Sequence, residues 1–117
     1  EALARAARSD ALSTQDDIRA ALDAALARWQ RAADKATTYR TQLIPDARTT
    51  LEATLAAYQV GRAEYASLFQ AEVQLLDLER VARMAEADAA LAEVDVMMTL
   101  GTAERPPTEW AAEGAQR

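Results

Sequence analysis

The residues of this chain that could do chemistry are carboxylates and methionines, because the sequence contains no histidine and no cysteine. Those two absences remove the commonest general base, the usual nucleophilic thiol and most transition-metal ligand sets. The sequence also lacks a glycine-rich phosphate loop and the carboxylate spacing of a calcium loop. We therefore expect a protein that is not an enzyme and that has no catalytic residue, cofactor or metal site.

One carboxylate pattern is regular, with glutamates every seven residues at Glu72, Glu79, Glu86 and Glu93. Two interpretations are open. A solvated flank would keep a helix soluble and would pair with arginines such as Arg83, four residues after Glu79. An acidic stripe along the lumen of an aqueous passage would instead attract cations.

The three methionines are Met84, Met97 and Met98. A cluster of thioethers can bind a soft metal, but methionine at helical spacing is far more often a packing residue. We expect packing.

The composition favours closely packed helices. Apolar residues make up 50% of the 117 residues, yet aromatic residues are only 5%, and many of the rest are alanine. The net charge of −6 argues against nucleic acid as a partner, because phosphate binding needs a basic surface. No apolar run approaches the roughly 20 residues of a membrane-spanning helix.

Glycine placement predicts the fold class. Gly61 is the only glycine before Gly101, and it separates two alanine-rich segments with helical periodicity. Because glycine ends helices by adopting positive φ, the sequence predicts an all-α protein, a long antiparallel helical hairpin of the coiled-coil type. Its expected parts are a hairpin over residues 1–101, with helix 1 over about 2–57, a tip at 58–62 and helix 2 over about 63–100. Gly101 is the expected C-cap of helix 2. A tail follows at 102–117, in which Trp110 could dock onto the helices.

Helix 1 has two points where continuity is in question. Capping-box patterns at Ser13 and Thr14 indicate either a new helix start, with a break near 9–14, or exposed side chains on one long helix. Pro45 lacks an N–H and disfavours a helix interior, so we expect a kink there rather than a new helix with Pro45 in its first turn. The apolar positions before Pro45 form a heptad seam: Ile18, Leu22, Ala25, Trp29, Ala32, Ala36, Tyr39 and Leu43. After it the seam is one residue out of step: Ile44, Ala47, Leu51, Leu55 and Tyr58.

Helix 2 carries more apolar surface than a two-helix hairpin can cover. Its seam is Leu68, Ala71, Leu75, Leu78, Ala82, Ala85, Ala89, Ala92 and Val96. Other apolar residues lie off that seam: Phe69, Val73, Leu76, Met84, Leu91, Val94 and Met98. Exposed apolar surface of this extent usually marks an interaction site, so we expect further helical neighbours. We also expect the isolated chain to self-associate, as a four-helix arrangement.

The order of several motifs resembles the C-terminal repeat of TolC-like outer-membrane efflux channels. The motifs are Tyr58-x-x-Gly61, Leu68-x-x-Ala71 and a closing Leu100-Gly101, preceded by Tyr39 and by the segment over 43–47. The resemblance covers about residues 36–101 and is weaker over 16–35. The proline and turn features are more similar to the heavy-metal (CusC- or CzcC-like) and drug-efflux branches than to TolC itself.

The resemblance implies a passive conduit in the outer membrane for exported metal ions or drugs. This chain would be a fragment that forms part of the periplasmic tunnel wall of a homotrimer, working with a periplasmic adaptor protein and an inner-membrane pump. The tip residues Tyr58, Val60, Gly61 and Arg62 would dock the adaptor. Ser67 and Gln70 would occupy aperture positions at which family members often carry carboxylates, and the four regularly spaced glutamates would line the lumen.

A free-standing antiparallel coiled coil used for partner binding or oligomerisation is the alternative. One version is the hairpin of an adaptor protein, which normally leads at both ends into β-rich domains. The segment after Gly101 contains Pro106-Pro107 and has no strand pattern, which disfavours that version.

Overall fold

The computed structural model describes residues 1–104, and their side chains up to Gly101. Helix α1 spans Ala2–Thr38, a π-helical turn follows at Tyr39–Leu43, and α2 spans Ile44–Gln59. Helix α3 spans Tyr65–Glu104. Residues 1–104 contain no strand, and the predicted all-α antiparallel hairpin is confirmed. Trp110 and its predicted docking lie outside the described residues.

The chain divides into two compact units. We call Gln30–Ala90 the tip unit, because it contains the turn between α2 and α3. The terminal unit contains, among the described residues, 1–29 and 91–104.

Helix α1 is continuous through the segment where the capping patterns lie. The side chains of residues 1–17 are all exposed, and the Thr14 hydroxyl donates to the Asp10 carbonyl at 2.9 Å. A hydroxyl that bonds back to its own helix in this way does not act as an N-cap. The break near 9–14 is therefore absent, and the interpretation with exposed side chains is the correct one.

The disturbance at Pro45 takes the form of a π-turn rather than a break. The Ile44 N–H donates to the Tyr39 carbonyl, five residues back, and Pro45 lies in the first turn of α2. Proline has no N–H to give to the carbonyl four residues before it, and its ring would clash with that carbonyl in a regular helix. In the wider π-turn, the carbonyl four residues back neither needs an N–H from Pro45 nor collides with its ring.

The seam shifts by one residue across the π-turn, as predicted. Ile44 is 4% exposed, whereas its neighbour Leu43 is 38% exposed. Ala36 before the turn and Ala47 after it are also buried. The prediction is wrong nearer the tip, where Leu55 and Tyr58 are exposed. The half-buried positions there are Thr54 and Ala57.

All nine predicted seam positions of α3 are buried or half-buried, and all seven off-seam apolar residues are exposed. The predicted C-cap at Gly101 is wrong, since α3 continues to Glu104. Gly61 is the one glycine with positive φ among residues 1–104. Glycine permits positive φ without requiring it, so Gly101 is accommodated inside the helix.

The terminal unit has its own contacts between helices. Ala25 of α1 is 1% exposed and Ala92 of α3 is 7% exposed. Arg28 and Asp95 form an ion pair at 3.6 Å between the two helices. Small seam residues allow helix axes to approach closely, which suits a coiled-coil contact.

Candidate functional site: the tip turn and the acidic flank

The tip turn is a Schellman motif built on Gly61. The Arg62 N–H donates to the Ala57 carbonyl at 2.8 Å, and the Gly61 N–H donates to the Tyr58 carbonyl at 3.0 Å. Gly61 has φ +75°, as its predicted role in ending helix 1 requires. A Cβ added at Gly61 would meet nothing within 4 Å. The demand for glycine is therefore a demand of backbone conformation and not of space.

Helix α3 begins at Tyr65, two residues after the predicted start. Its first turn is closed by the Glu64 carbonyl, which accepts the N–H groups of Ser67 at 3.1 Å and Leu68 at 3.4 Å. The ring of Tyr65 meets the ring of Tyr58 edge to face, with centroids 6.1 Å apart and planes at 63°. This aromatic pair joins the two helices across the turn. The sequence analysis did not single out Tyr65, although its position on the far side of Gly61 from Tyr58 is the signal that could have found it.

The turn brings together all four residues predicted for docking. Val60 is 68% exposed and Tyr58 is 42% exposed, and Tyr65 beside them is 65% exposed. Arg62 is exposed and forms no ion pair with any residue that the structure describes. The tip thus presents valine and tyrosine side chains on a backbone turn closed by two hydrogen bonds, with one guanidinium beside them.

The predicted aperture positions are both exposed and lie near the start of α3. Gln70 lines an open groove of about 370 Å³ in the tip unit, together with Tyr39, Phe69, Val73 and Asp77. Ser67 is not part of that groove. Because neither position carries a carboxylate, Ser67 and Gln70 cannot by themselves form an acidic constriction.

The acidic flank is the set Glu72, Glu79, Glu86 and Glu93, and its two middle members are paired. The Arg40 guanidinium holds Glu86 through two hydrogen bonds, at 2.7 Å from Nε and 3.1 Å from Nη2. Arg48 reaches Glu79 at 3.3 Å, and Arg83 reaches the same carboxylate at 3.8 Å. The predicted pair of Arg83 with Glu79 is confirmed. Arg40 and Arg48, which precede the tip in the chain, form two further ion pairs with α3.

The outer members of the flank are different. Glu72 and Glu93 are exposed and form no ion pair within the described part of the chain. The hydrogen bond from Arg40 lowers the pKa of Glu86 and raises the pKa of Arg40. Two of the four charges are thus neutralised within the chain, which favours a solvated, salt-bridged flank over a continuous acidic stripe.

Sequence reasoning missed Arg40 and Arg48 as partners of the flank. They are eight residues apart, whereas their partners Glu86 and Glu79 are seven apart. In a regular helix a residue eight positions further on is rotated by about 80°, whereas one seven positions further on is rotated by only about 20°. The two arginines can be matched to the two glutamates only when the one-residue shift near Pro45 is taken into account.

The methionines are all exposed, Met84 by 59%, Met97 by 62% and Met98 by 67%. They do not fill the seam, so the packing that we expected of them is not with the hairpin's own core. No group of three or more carboxylates within residues 1–104 is arranged to hold a metal ion.

No family model, curated protein or solved structure matches the chain. Among the described residues, no helix combines the length and the apolar character needed to cross a bilayer.

Proposed function

We propose that this chain is one helical hairpin of the periplasmic tunnel of a TolC-like outer-membrane efflux channel. In the full-length protein the hairpin belongs to a homotrimer that acts as a passive conduit for metal ions or drugs. The trimer works with a periplasmic adaptor and an inner-membrane pump. The support is the order of the turn and helix motifs, together with the exposed apolar face described next.

The observation that carries the proposal is the exposed apolar surface of α3. Within the tip unit, Phe69 is 53% exposed, Leu76 is 64% exposed and Met84 is 59% exposed. These side chains point away from the seam that α3 shares with the rest of the hairpin. A hairpin that functions alone in water gains nothing from such a surface, whereas a helix in a tunnel wall has neighbours on more than one side.

The adaptor-docking role falls to the tip turn. Its shape is set by Gly61, and its exposed side chains are Val60, Tyr58 and Arg62. An incoming hairpin would meet apolar side chains and one cation on a turn that two backbone hydrogen bonds hold in shape. Such a preorganised surface loses little entropy on binding.

The test is Gly61→Val in the full-length channel, with Gly101→Ala as the matched control. Valine disfavours positive φ, so the tip backbone must rearrange, while the many seam contacts of the hairpin keep it folded. We expect normal trimer assembly in the membrane with impaired efflux for Gly61→Val, and normal assembly and efflux for Gly101→Ala. Unchanged efflux in Gly61→Val would remove the docking role from the tip, and lost assembly would make Gly61 a folding residue only.

A free-standing coiled-coil interaction module is the second candidate, and the paired flank favours it. Glu79 and Glu86 are neutralised by arginines of the same chain, which is what a self-contained hairpin needs and a cation-attracting lumen does not. The gene upstream of residue 1 distinguishes the two candidates. Amphipathic strands and a second Tyr-x-x-Gly hairpin upstream would support the channel, and their absence would support the module.

Both candidates predict that the isolated chain self-associates through the exposed face of α3. Light scattering over a concentration series measures this directly. A particle mass above that of one chain at high concentration is expected, and replacing Phe69 and Leu76 by serine should return it to a monomer. A strict monomer for the unmodified chain would contradict the prediction.

A further inference from the structure

We propose that the π-turn Tyr39–Leu43 is a register step. By this we mean that the turn holds one extra residue, which the apolar pattern on both sides of the turn requires. Pro45 is compatible with the turn but is not its cause. The step sets the rotational position of α2, and with it the tip turn, against α3 within the tip unit. It belongs to the hairpin itself, whichever assembly the hairpin serves.

Burial gives the first line of evidence. Ala36 before the turn and Ile44 after it are both buried, and they are eight residues apart. Along α3, the seam positions Ala82 and Ala89, on either side of Glu86, the partner of Arg40, are seven residues apart. A π-turn accommodates one additional residue in an otherwise α-helical path, so eight residues on one side span what seven span on the other.

The ion pairs agree with the step seen in the burial pattern. Arg40 and Arg48 are eight residues apart, and both reach carboxylates of α3 that are seven residues apart. Polar groups on the edge of the hairpin therefore report the same one-residue step as apolar groups in its seam.

The alternative register shows why the step is required. Without the extra residue, the seven-residue pattern that includes Ala36 would continue through Leu43, Asp46 and Thr50. A carboxylate and a hydroxyl would then enter the seam, and Ile44, Ala47 and Leu51 would leave it. Burying a carboxylate without a partner is strongly unfavourable, so the regular helix is disfavoured even if position 45 can donate a hydrogen bond.

The first experiment is Pro45→Ala in the full chain. Alanine restores the N–H and favours a regular helix. We expect the π-turn to persist, with the Ile44 N–H still bonded to the Tyr39 carbonyl, which NMR detects as a scalar coupling through the hydrogen bond. A shift of that bond to the Arg40 carbonyl would show that proline alone creates the turn, and would overturn the proposal.

The second experiment compares two single-residue deletions in the Pro45→Ala background. Thr41 and Thr49 are a matched pair, because both are exposed and both donate their hydroxyl to the carbonyl four residues back. Deleting Thr41 removes the extra residue, so that Ile44 comes seven residues after Ala36 and Arg48 comes seven after Arg40. Deleting Thr49 removes a residue from regular α2 and takes Leu51 out of the seam.

We expect the melting temperature of the Thr41 deletion to equal or exceed that of Pro45→Ala. We expect the Thr49 deletion to melt about 10 °C lower, in keeping with the usual conversion of a lost core contact into melting temperature for a chain of this size. The Thr41 deletion should also keep the hydrogen bonds of Arg40 with Glu86 in NMR spectra of the guanidinium groups. Equal destabilisation by the two deletions, or loss of those hydrogen bonds in the Thr41 deletion, would overturn the proposal.

Discussion

The tip turn and the π-turn are two departures from regular helix within the same unit, and they are stabilised in opposite ways. The tip turn reverses the chain, needs positive φ at Gly61, and leaves Val60 68% exposed. The π-turn keeps the chain helical. Thr38, Leu43 and Ile44, the residues at its ends, all have right-handed helical φ and ψ. Ile44, directly after it, is 4% exposed.

The two turns therefore differ in the interactions that stabilise them. The tip turn depends on the conformational freedom of one residue, and its side chains contribute little burial. The π-turn needs no special residue conformation, and it depends on the packing of its neighbours in the seam and on two ion pairs at its edge. Substitutions should therefore act on the backbone at the tip and on side-chain packing at the π-turn.

The largest effect is expected at Ile44. Ile44→Ala removes most of a buried side chain at the π-turn and should lower the free energy of unfolding by about 2–3 kcal/mol. Leu43→Ala is the matched control, since Leu43 is adjacent and 38% exposed, and it should cost about 1 kcal/mol or less. Urea unfolding of both variants measures the difference. Equal losses at the two positions would mean that the seam does not step at this turn.

Effects of intermediate size are expected at the two glycines, and the two effects have opposite signs. Gly61→Ala places a Cβ on a residue with φ +75°, and should cost about 1 kcal/mol. Gly101→Ala introduces a better helix former into α3, where a Cβ meets nothing within 4 Å, and should stabilise by about 0.5 kcal/mol. Thermal unfolding gives both values. A stabilising Gly61→Ala would contradict the assignment of the tip turn to backbone conformation.

The smallest effect concerns pH and is confined to the edge of the π-turn. The hydrogen bond from Arg40 lowers the pKa of Glu86 in the folded chain. The stability contributed by this pair is therefore present above the pKa of Glu86 in the unfolded chain. It is lost as pH falls through the lower, folded pKa. The pKa of Arg40 is raised from a value that is already above the working range, so alkaline pH does not test the pair.

The measurement is the melting temperature of the chain between pH 7 and pH 3, compared with that of Glu86→Gln. The unmodified chain should lose slightly more stability on acidification than the variant, and added salt should reduce the difference, because the pair is half-exposed. Identical pH profiles would show that the pair contributes nothing to folding. The tip residues Tyr58, Val60 and Gly61 have no carboxylate, so their substitution should leave the pH profile unchanged.

Much of the fold is readable from the sequence because it depends on local preferences. Gly61 between two helical segments predicts the hairpin and its turn, since positive φ is a property of glycine itself. The three-and-four spacing of α3 predicts its buried face at every position, because helical period alone selects that face. The same reasoning failed at Gly101, where glycine permits a cap but the residues that follow continue the helix.

The candidate site divides in the same way. Tyr58, Val60, Gly61 and Arg62 are adjacent in sequence, so their meeting in one turn follows once the turn is placed. Arg40 meets Glu86 across 46 residues of chain, and Arg48 meets Glu79 across 31. Those pairings depend on how two distant segments align.

By itself, then, the sequence determined the helical hairpin, the position of its tip and the apolar face of α3, because each follows from the conformational preference or spacing of neighbouring residues. Only the tertiary structure decided that Pro45 is accommodated by a π-turn and that Ile44, not Leu43, is buried. It also decided that two of the four glutamates are neutralised. The one-residue shift of the apolar pattern near Pro45 is visible in the sequence. These features, however, depend on which residues of α2 and α3 face each other, and that alignment involves both segments at once.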